Sequence, residues 1–180
     1  KIMHKDVEYV LYSEKDIENI VNRLAKQIEK DYNGREFVVV GLLKGCFVFM
    51  TDLVRKINLD FSIDFMVASS YGSSAKSSGE VTISKDMSVP IEGKDILIVE
   101  DIIDTGNTLE FIANYLKAKK AKSVRICTLF DKPQHRVNSL VPEYIGTTIP
   151  DEFIVGYGLD YDEKYRNLPY IGVLKPSVYS

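Results

Sequence analysis

The chain has 180 residues, of which 45% are hydrophobic and 27% charged, as in an ordinary globular domain. Its net charge is −3 and its pI about 5.5, so nothing indicates a nucleic-acid partner. Two cysteines without metal-ligand spacing, Cys46 and Cys127, exclude a disulfide framework and favour buried thiols in a cytoplasmic protein. Apolar runs are too short to span a membrane. We therefore expect one domain, residues 1–180.

Strands are predicted to alternate with helices along the chain. Ser13 can cap a helix that runs to about Asp31, with apolar residues at helical spacing. The apolar, β-branched run 37–40 is typical of a central parallel strand. Further elements are predicted as a helix at 46–57, strands at 63–68, 80–84 and 96–100, a helix at 108–118, a strand at 124–130, and short strands at 153–156 and 171–174. This order predicts a three-layer α/β fold with a mainly parallel sheet flanked by helices.

A serine-rich tract interrupts this pattern. Residues 69–79 contain six serines and two glycines, a composition typical of a flexible surface segment. Because the tract lies inside a domain, we expect a mobile lid over about residues 69–82 rather than an interdomain linker. A plain hairpin tip is the alternative, and Tyr71 favours the lid because an aromatic side chain can cover a ligand. The flanking strands are expected to add an antiparallel element.

The most informative segment is the loop 100–108, Glu-Asp-Ile-Ile-Asp-Thr-Gly-Asn-Thr, which joins a buried strand to a helix. Ligands of open α/β sheets bind at the carboxyl ends of strands, and a helix N-terminus there offers N–H groups to phosphate. Carboxylates beside it can hold a divalent metal or ribose hydroxyls. Three acids together are costly without such a ligand, although polar turns occur in any α/β protein. The loop therefore predicts a phosphorylated sugar substrate with Mg²⁺.

Two more strand ends carry candidate ligands. Lys44 and Gly45 precede a predicted helix, where bare N–H groups and a point charge suit pyrophosphate. Lys132 stands beside Pro133 and can donate to a carbonyl oxygen, whereas it would repel an amino group. A plain turn with a surface lysine has the same pattern in both places.

The last candidate loop covers residues 153–166. Phe153 can stack on a planar base, although an aromatic residue is more often part of a core. Asp160 follows two glycines and is a candidate metal ligand, and Arg166 can grip phosphate. The four loops are compatible with one shared site.

Together these loops resemble those of the type I phosphoribosyltransferases over about residues 7–176. Loop 100–108 is similar to the family's phosphoribosyl-pyrophosphate loop. Four further motifs resemble the 6-oxopurine branch, that of the bacterial hypoxanthine (hypoxanthine-guanine) enzymes: residues 69–72, 131–133, 155–161 and 166–170. The resemblance implies Mg²⁺-dependent purine salvage, in which phosphoribosyl pyrophosphate and hypoxanthine or guanine give IMP or GMP and pyrophosphate.

The resemblance also implies a role for each matching residue. Asp104 would be the general base near purine N7. The implied ligands of phosphoribosyl pyrophosphate are Lys44, Gly45, Glu100, Asp101, Asp104, Thr105, Gly106, Asn107, Thr108 and Arg166. The implied purine contacts are Lys132, Phe153, Ile154 and Asp160. The implied Mg²⁺ ligands are Glu100, Asp101 and Asp160, and the implied lid residues are Ser70 and Tyr71. A cis peptide between Leu43 and Lys44 and a small hood built from the terminal segments are implied as well.

Two positions depart from the commonest bacterial pattern. Asn107 replaces an apolar or basic residue, with little expected effect because backbone groups bind the phosphate there. His135 stands where many relatives carry arginine, which puts local packing or subunit contacts in question but not the chemistry. Three alternatives stay open: another base such as xanthine, an RNA-binding regulator built on a related fold, and a homodimer against a homotetramer.

Overall fold

The structure, a computed structural model, describes residues 2–70 and 80–180. In chain order its elements are β1 (Val7–Tyr12), α1 (Glu14–Tyr32), β2 (Phe37–Leu42), α2 (Phe47–Val54), β3 (Ser62–Ser70), β4 (Val81–Lys85), β5 (Asp95–Ile103), α3 (Asn107–Ala118), β6 (Ser123–Asp131), a 3₁₀ turn (Pro133–His135), β7 (Tyr144–Thr148), β8 (Ile154–Val155), β9 (Ile171–Leu174) and α4 (Pro176–Tyr179). They form two sheets of different size.

The larger sheet has six strands in the order β4-β3-β2-β5-β6-β7. Its neighbouring strands are parallel except β4, which runs antiparallel to β3. In the centre, Val39 of β2 lies opposite Ile63 of β3 and Leu97 of β5. The mainly parallel sheet is confirmed, and so is the antiparallel element beside the serine-rich tract.

Alternation along the central strands separates two hydrophobic cores. Phe37 and Val39 pack into the core that contains the buried faces of α1 and α2. Val38 and Val40 point to the opposite side and pack with the buried face of α3. Because successive strand residues face opposite sides of a sheet, a wholly apolar strand must be covered on both faces. The predicted three-layer arrangement is therefore confirmed.

The smaller sheet joins the two ends of the chain. Its antiparallel strands follow the order β1-β9-β8, so that Val7 lies opposite Leu174 and Ile154 opposite Val173. The N–H of Leu174 also donates to the carbonyl oxygen of Phe153 at 2.8 Å. This sheet is the hood expected from the terminal segments, and it holds Phe153 and Ile154 beside the larger sheet.

Several element boundaries differ from the sequence predictions. The predicted helix 46–57 is shorter, ending at Val54, and β5 extends to Ile103, so that Glu100 and Asp101 belong to the strand. The strands β1 and β7 were not predicted, because β1 is largely exposed and the middle residue of β7 is Gly146. Both strands depend on pairing with distant partners. Most of the expected lid lies outside the described residues.

The N-terminus of α1 is closed by a capping box. Asp16 N–H donates to Ser13 Oγ at 3.1 Å, and Ser13 N–H donates to the Asp16 carboxylate at 2.9 Å. We expect Ser13→Ala to lower the free energy of unfolding by about 1 kcal/mol, because a helix-end N–H loses its partner. Urea unfolding followed by circular dichroism measures the change.

Glu18→Ala serves as the matched control for the cap. Glu18 pairs with Lys15 at 3.2 Å on the exposed face of the same helix, where an ion pair contributes little. A change below about 0.5 kcal/mol is expected. Equal losses in the two variants would contradict the importance of the cap.

Candidate active site

Two loops and the end of strand β5 meet in direct contact at the carboxyl edge of the larger sheet. A Cβ atom built on Gly45 would lie 2.1 Å from Asp101 Oδ2, and one built on Gly158 would lie 2.5 Å from the Gly45 carbonyl oxygen. Gly158 also has φ +98°, a conformation that L side chains rarely adopt. The loops after β2 and after β8 therefore approach each other and the end of β5 closely, because two glycines carry no side chain.

The loop after β5 wraps around a cavity of about 240 Å³. Gly106 has φ 82° and precedes the 12-residue helix α3, whose N-terminus starts at Asn107. Asn107 N–H lies 3.3 Å from Thr105 Oγ1. The cavity is lined by Glu100, Ile102, Ile103, Asp104, Thr105, Gly106, Asn107, Thr108 and Leu109. A helix N-terminus and two hydroxyls around a small cavity match the needs of a phosphate group.

A segment 30 residues later holds this loop in place. Asn138 Nδ2 donates to the Gly106 carbonyl at 3.0 Å, and Val137 N–H donates to the Thr105 carbonyl at 3.0 Å. Arg136 forms a buried ion pair with Asp131 at the end of β6 and reaches the Asp104 carbonyl at 3.3 Å. The sequence analysis missed Arg136 and Asn138, since no local pattern relates them to the loop.

Two adjacent acids lie near the end of β5: Glu100 lines the cavity, and Asp101 lies against Gly45. Asp101 is buried and accepts a hydrogen bond from Ile102 N–H at 2.8 Å, while Glu100 accepts one from Asp101 N–H at 3.1 Å. Burial raises the pKa of Glu100, and the nearby Asp101 charge raises it further. Burial and the same two acids raise the pKa of the Cys46 thiol to about 12. Cys46 is thus a buried hydrophobe, as predicted, and the acid pair is suited to a cation or to sugar hydroxyls.

Lys44 and Arg166 share one carboxylate at the outer side of the site. Glu163 accepts from Lys44 Nζ at 3.0 Å and from the Arg166 guanidinium at 3.1 Å. Both cations lower the pKa of Glu163. Asp160 lies 3.4 Å from the same guanidinium, and the peptide bond between Leu43 and Lys44 is cis, as predicted. Glu163 was not predicted from the sequence. Its carboxylate occupies a position at which one anion contacts both Lys44 and Arg166.

The candidate base-binding residues lie between the end of β6 and the hood. Lys132 is mostly buried, with 12% of its side chain exposed, and its Nζ donates to the Glu152 carbonyl at 3.1 Å. The Phe153 ring is partly exposed and stacks on Tyr179 of α4, with centroids 4.7 Å apart. Ile154 is buried in β8. Lys132 is therefore already placed to donate to a carbonyl oxygen beside an aromatic ring.

Oxygen donors suited to Mg²⁺ are present, but they are spread over the site. Within residues 2–70 and 80–180, no three His, Cys, Asp or Glu side chains converge into a metal site. Magnesium commonly takes one or two protein carboxylates and completes its shell with water and substrate phosphates. Glu100, Asp101 and Asp160 fit that mode of binding.

A family comparison identifies this arrangement. A family model described as the phosphoribosyl transferase domain matches residues 11–162. The chain belongs to this family. A curated relative from Staphylococcus aureus, named hypoxanthine-guanine phosphoribosyltransferase, is 53% identical over 178 residues, which cover 99% of each chain.

Solved structures of phosphoribosyltransferases have the same fold. A hypoxanthine phosphoribosyltransferase from Staphylococcus aureus superposes with a TM-score of 0.96 at 53% identity, covering 100% of this chain and 98% of that chain. A hypoxanthine-guanine phosphoribosyltransferase from Bacillus anthracis gives a TM-score of 0.88 at 48% identity, covering 94% and 99%. The resemblance inferred from the sequence motifs is confirmed.

The predicted site residues of this phosphoribosyltransferase fall into three groups. Those at the phosphate loop and its acid pair are Glu100, Asp101, Asp104, Thr105, Gly106, Asn107 and Thr108. Those around the shared Glu163 carboxylate are Lys44, Asp160 and Arg166, with Gly45 between the two groups. Those at the candidate base-binding side are Lys132, which follows β6, and Phe153 and Ile154 of the hood. Asp160 lies with the cations, Ser70 ends β3, and Tyr71 lies outside the described residues.

None of the helices in the described part of the chain is both long and apolar enough to cross a membrane.

The close approach of Gly158 to Gly45 can be tested with an alanine pair. Gly93 also has a positive φ, +75°, but an added Cβ there would meet nothing within 4 Å. Gly93→Ala is expected to cost about 1 kcal/mol, the penalty of the backbone conformation. Gly158→Ala adds a clash with the Gly45 carbonyl and should cost about 1–3 kcal/mol more in urea unfolding. Equal costs in the two variants would mean that the loops can separate freely.

Proposed function

We propose that the chain transfers 5-phosphoribose from its 1-pyrophosphate to hypoxanthine and guanine, releasing pyrophosphate and forming IMP or GMP. One observation carries this proposal: the phosphate cavity at the N-terminus of α3 is continuous with an acid pair that touches the Lys44-Gly45 loop. A phosphate, ribose hydroxyls and a pyrophosphate follow one another in the donor in that order. The names of the relatives from Staphylococcus aureus and Bacillus anthracis support the same activity.

The donor is held at both of its charged ends. Backbone N–H groups and hydroxyls of residues 105–108 bind the 5′-phosphate. Gly106, where an added Cβ would lie 2.7 Å from Arg136 Cδ, lets Arg136 and Asn138 pack against this loop. Lys44 and Arg166 bind the pyrophosphate, which displaces Glu163 from the position between them. Glu100 and Asp101 accept hydrogen bonds from the ribose hydroxyls. With the donor bound in this way, C1 of the ribose would lie between the acid pair and the hood.

Lys132 selects a purine that carries an oxo group. In the structure it donates to a backbone carbonyl, the Glu152 oxygen at 3.1 Å, which has the same chemistry as O6 of hypoxanthine or guanine. An amino group at that position would face the ammonium donor-to-donor and leave a buried donor unpaired. Phe153, whose ring stacks on Tyr179, presents its ring to the base, and Ile154 contacts the base through its backbone.

Different residues of the site assist different parts of the reaction. The bond between C1 and the pyrophosphate oxygen breaks, and its electron pair leaves with pyrophosphate, whose charge Lys44 and Arg166 neutralise. The purine nitrogen forms the new bond to C1 while Asp104 takes the proton that the purine loses. The Glu100 and Asp101 carboxylates stabilise the positive charge that develops on the sugar. Mg²⁺ bound through Glu100, Asp101 and Asp160 would supply further charge neutralisation at the pyrophosphate.

The remaining expectations follow from this proposal. Residues 1–180 act as one phosphoribosyltransferase domain in the cytoplasm, where free thiols such as Cys46 and Cys127 persist. Ser70 and Tyr71 belong to the proposed lid, which excludes water from the activated sugar. Assembly into a homodimer or homotetramer stays a prediction that sedimentation equilibrium would decide.

The proposal is tested by following pyrophosphate release from phosphoribosyl pyrophosphate and Mg²⁺ with five separate bases: hypoxanthine, guanine, xanthine, adenine and uracil. Release with hypoxanthine or guanine but not with adenine is the expected result. Preference for xanthine would change the substrate within the same reaction class. No release with any base would sink the proposal and favour the RNA-binding regulator, which a salt-sensitive gel shift with RNA would then detect.

Lys132→Ala is expected to weaken binding of hypoxanthine by about 10- to 100-fold and to leave donor binding nearly unchanged, because a charged hydrogen bond to O6 is lost. Equilibrium binding of each substrate measures the two effects. The matched control is Lys122→Ala, because Lys122 is an exposed lysine that directly precedes the first residue of β6. It should leave the binding of both substrates unchanged. Equal losses of both substrates in Lys132→Ala would remove its role in base selection.

Asp104→Asn is expected to lower kcat by about 10²- to 10⁴-fold, since the amide cannot take the purine proton. Dissociation constants for the donor and for IMP should change little, because loop residues 105–108 still bind the phosphate. Asp162→Asn removes an exposed carboxylate nearby and should leave kcat unchanged. Full turnover in Asp104→Asn would show that another group accepts the proton.

A further inference from the structure

Four side chains form a chain of contacts beside the proposed general base. His135 Nδ1 lies 2.6 Å from Asp104 Oδ1, and His135 Nε2 lies 3.1 Å from Asp151 Oδ1. Lys132 Nζ lies 3.9 Å from the same oxygen of Asp151. We call this series, Asp104, His135, Asp151 and Lys132, the imidazole bridge. It connects the residue proposed to take the purine proton with the residue proposed to recognise O6.

Each ring nitrogen of His135 faces a carboxylate oxygen at hydrogen-bond distance. An ionised carboxylate only accepts hydrogen bonds, and a neutral imidazole has one donor nitrogen and one acceptor nitrogen. Both ring nitrogens of His135 lie within hydrogen-bond distance of carboxylate oxygens, so both contacts are hydrogen bonds when the ring is an imidazolium. Asp104 and then Asp151 raise the pKa of His135 above its ordinary value, although desolvation opposes them.

We propose that His135 is a positioning residue for the reaction described above, and this inference rests on that proposed function. The imidazolium holds Asp104 Oδ1, so that Oδ2 faces the purine and receives its proton. The hydrogen bond to Oδ1 persists after the transfer, because the carbonyl oxygen of the neutral carboxyl group still accepts. Through Asp151, the same ring ties Asp104 to Lys132, so the proton acceptor and the O6 donor keep a constant separation.

The local structure explains why a histidine can serve here. His135 ends the 3₁₀ turn that follows β6, and its N–H donates to the Lys132 carbonyl at 3.1 Å. The turn places the ring between Asp104 in the loop after β5 and Asp151 in the loop before β8. An arginine at this position would also be cationic, but it would not lose its charge near neutral pH.

The charge on His135 gives the bridge a defined pH dependence. The charged groups that face the ring are Asp104 and Asp151, with Lys132 and Arg136 on its own segment. Below the raised pKa the ring is protonated and both contacts are present. As the pH rises through that pKa, one nitrogen loses its proton and one carboxylate loses its donor. Turnover is therefore expected to decline across this interval while donor binding stays constant.

The protonation state is measured by NMR without any need for activity. The chain has two histidines, so His4→Gln leaves His135 as the sole imidazole signal. Titration of that signal should show a midpoint above 6.5, and adding Asp151→Asn should lower the midpoint. A midpoint at or below 6.5 that does not change with Asp151→Asn would show that the contacts of the imidazole bridge are not formed, whatever reaction the protein catalyses.

Kinetics separate positioning from a purely structural role. His135→Gln is expected to lower kcat by about 10- to 100-fold with little change in KM for the donor, because Asp104 is no longer held. His135→Arg should restore most of kcat and abolish the decline at high pH, since arginine stays charged. His4→Gln, as the control, should keep both the wild-type kcat and the wild-type pH profile.

Each contrary result has a separate meaning. Equal loss of kcat in His135→Gln and His135→Arg, with the pH profile unchanged, would overturn the positioning role. A wild-type protein that turns over neither hypoxanthine nor guanine, yet titrates as predicted, would instead overturn the proposed function and leave the bridge intact. Thermal unfolding of every variant shows whether the half-buried position tolerates the substitutions. If His135→Gln keeps both the wild-type stability and the wild-type kcat, the proposal is also overturned.

Discussion

The close packing of Gly45 between Asp101 and Gly158 is the constraint on which the site depends. Two loops and the end of β5, from distant parts of the chain, meet there at distances that exclude a β-carbon on either glycine. This approach brings the Lys44 side of the site against the acid pair and sets the spacing between the phosphate cavity and the cations. The parallel sheet supplies the common edge, because the carboxyl ends of its strands lie together. The glycines then decide how near the loops can come.

Charge is the second organising feature of the site. Glu100 and Asp101 are crowded at the end of β5, and their mutual repulsion would be relieved by a cation or by hydroxyl donors. On the other side, Lys44 and Arg166 are paired with Glu163, an exposed contact that contributes little stability and is easily exchanged for a bound anion. A substrate that carries hydroxyls, phosphates and associated Mg²⁺ complements both halves, which is the physical basis of the proposed activity.

The imidazole bridge adds a third element, which couples base recognition to proton transfer. Lys132 and Asp104 stand on different strand ends, and His135 spans them through Asp151. An arginine at this position would keep a permanent charge there, whereas the imidazole of His135 can lose its proton, and the neighbouring carboxylates raise its pKa. The two arrangements would hold the same carboxylate but respond differently to pH.

Much of this protein was determined by its sequence alone. Local periodicity and apolar strands predicted the alternating elements. The acids, threonines and glycine of loop 100–108 predict a phosphate site there, because the groups proposed to bind are contiguous in the chain. Tertiary structure decided the rest. The strands β1 and β7 exist through pairing with distant strands, and Arg136, Asn138, Asp151 and Glu163 act on partners far away in sequence. The contact between His135 and Asp104 joins residues 31 positions apart, and only folding brings such groups within hydrogen-bond distance.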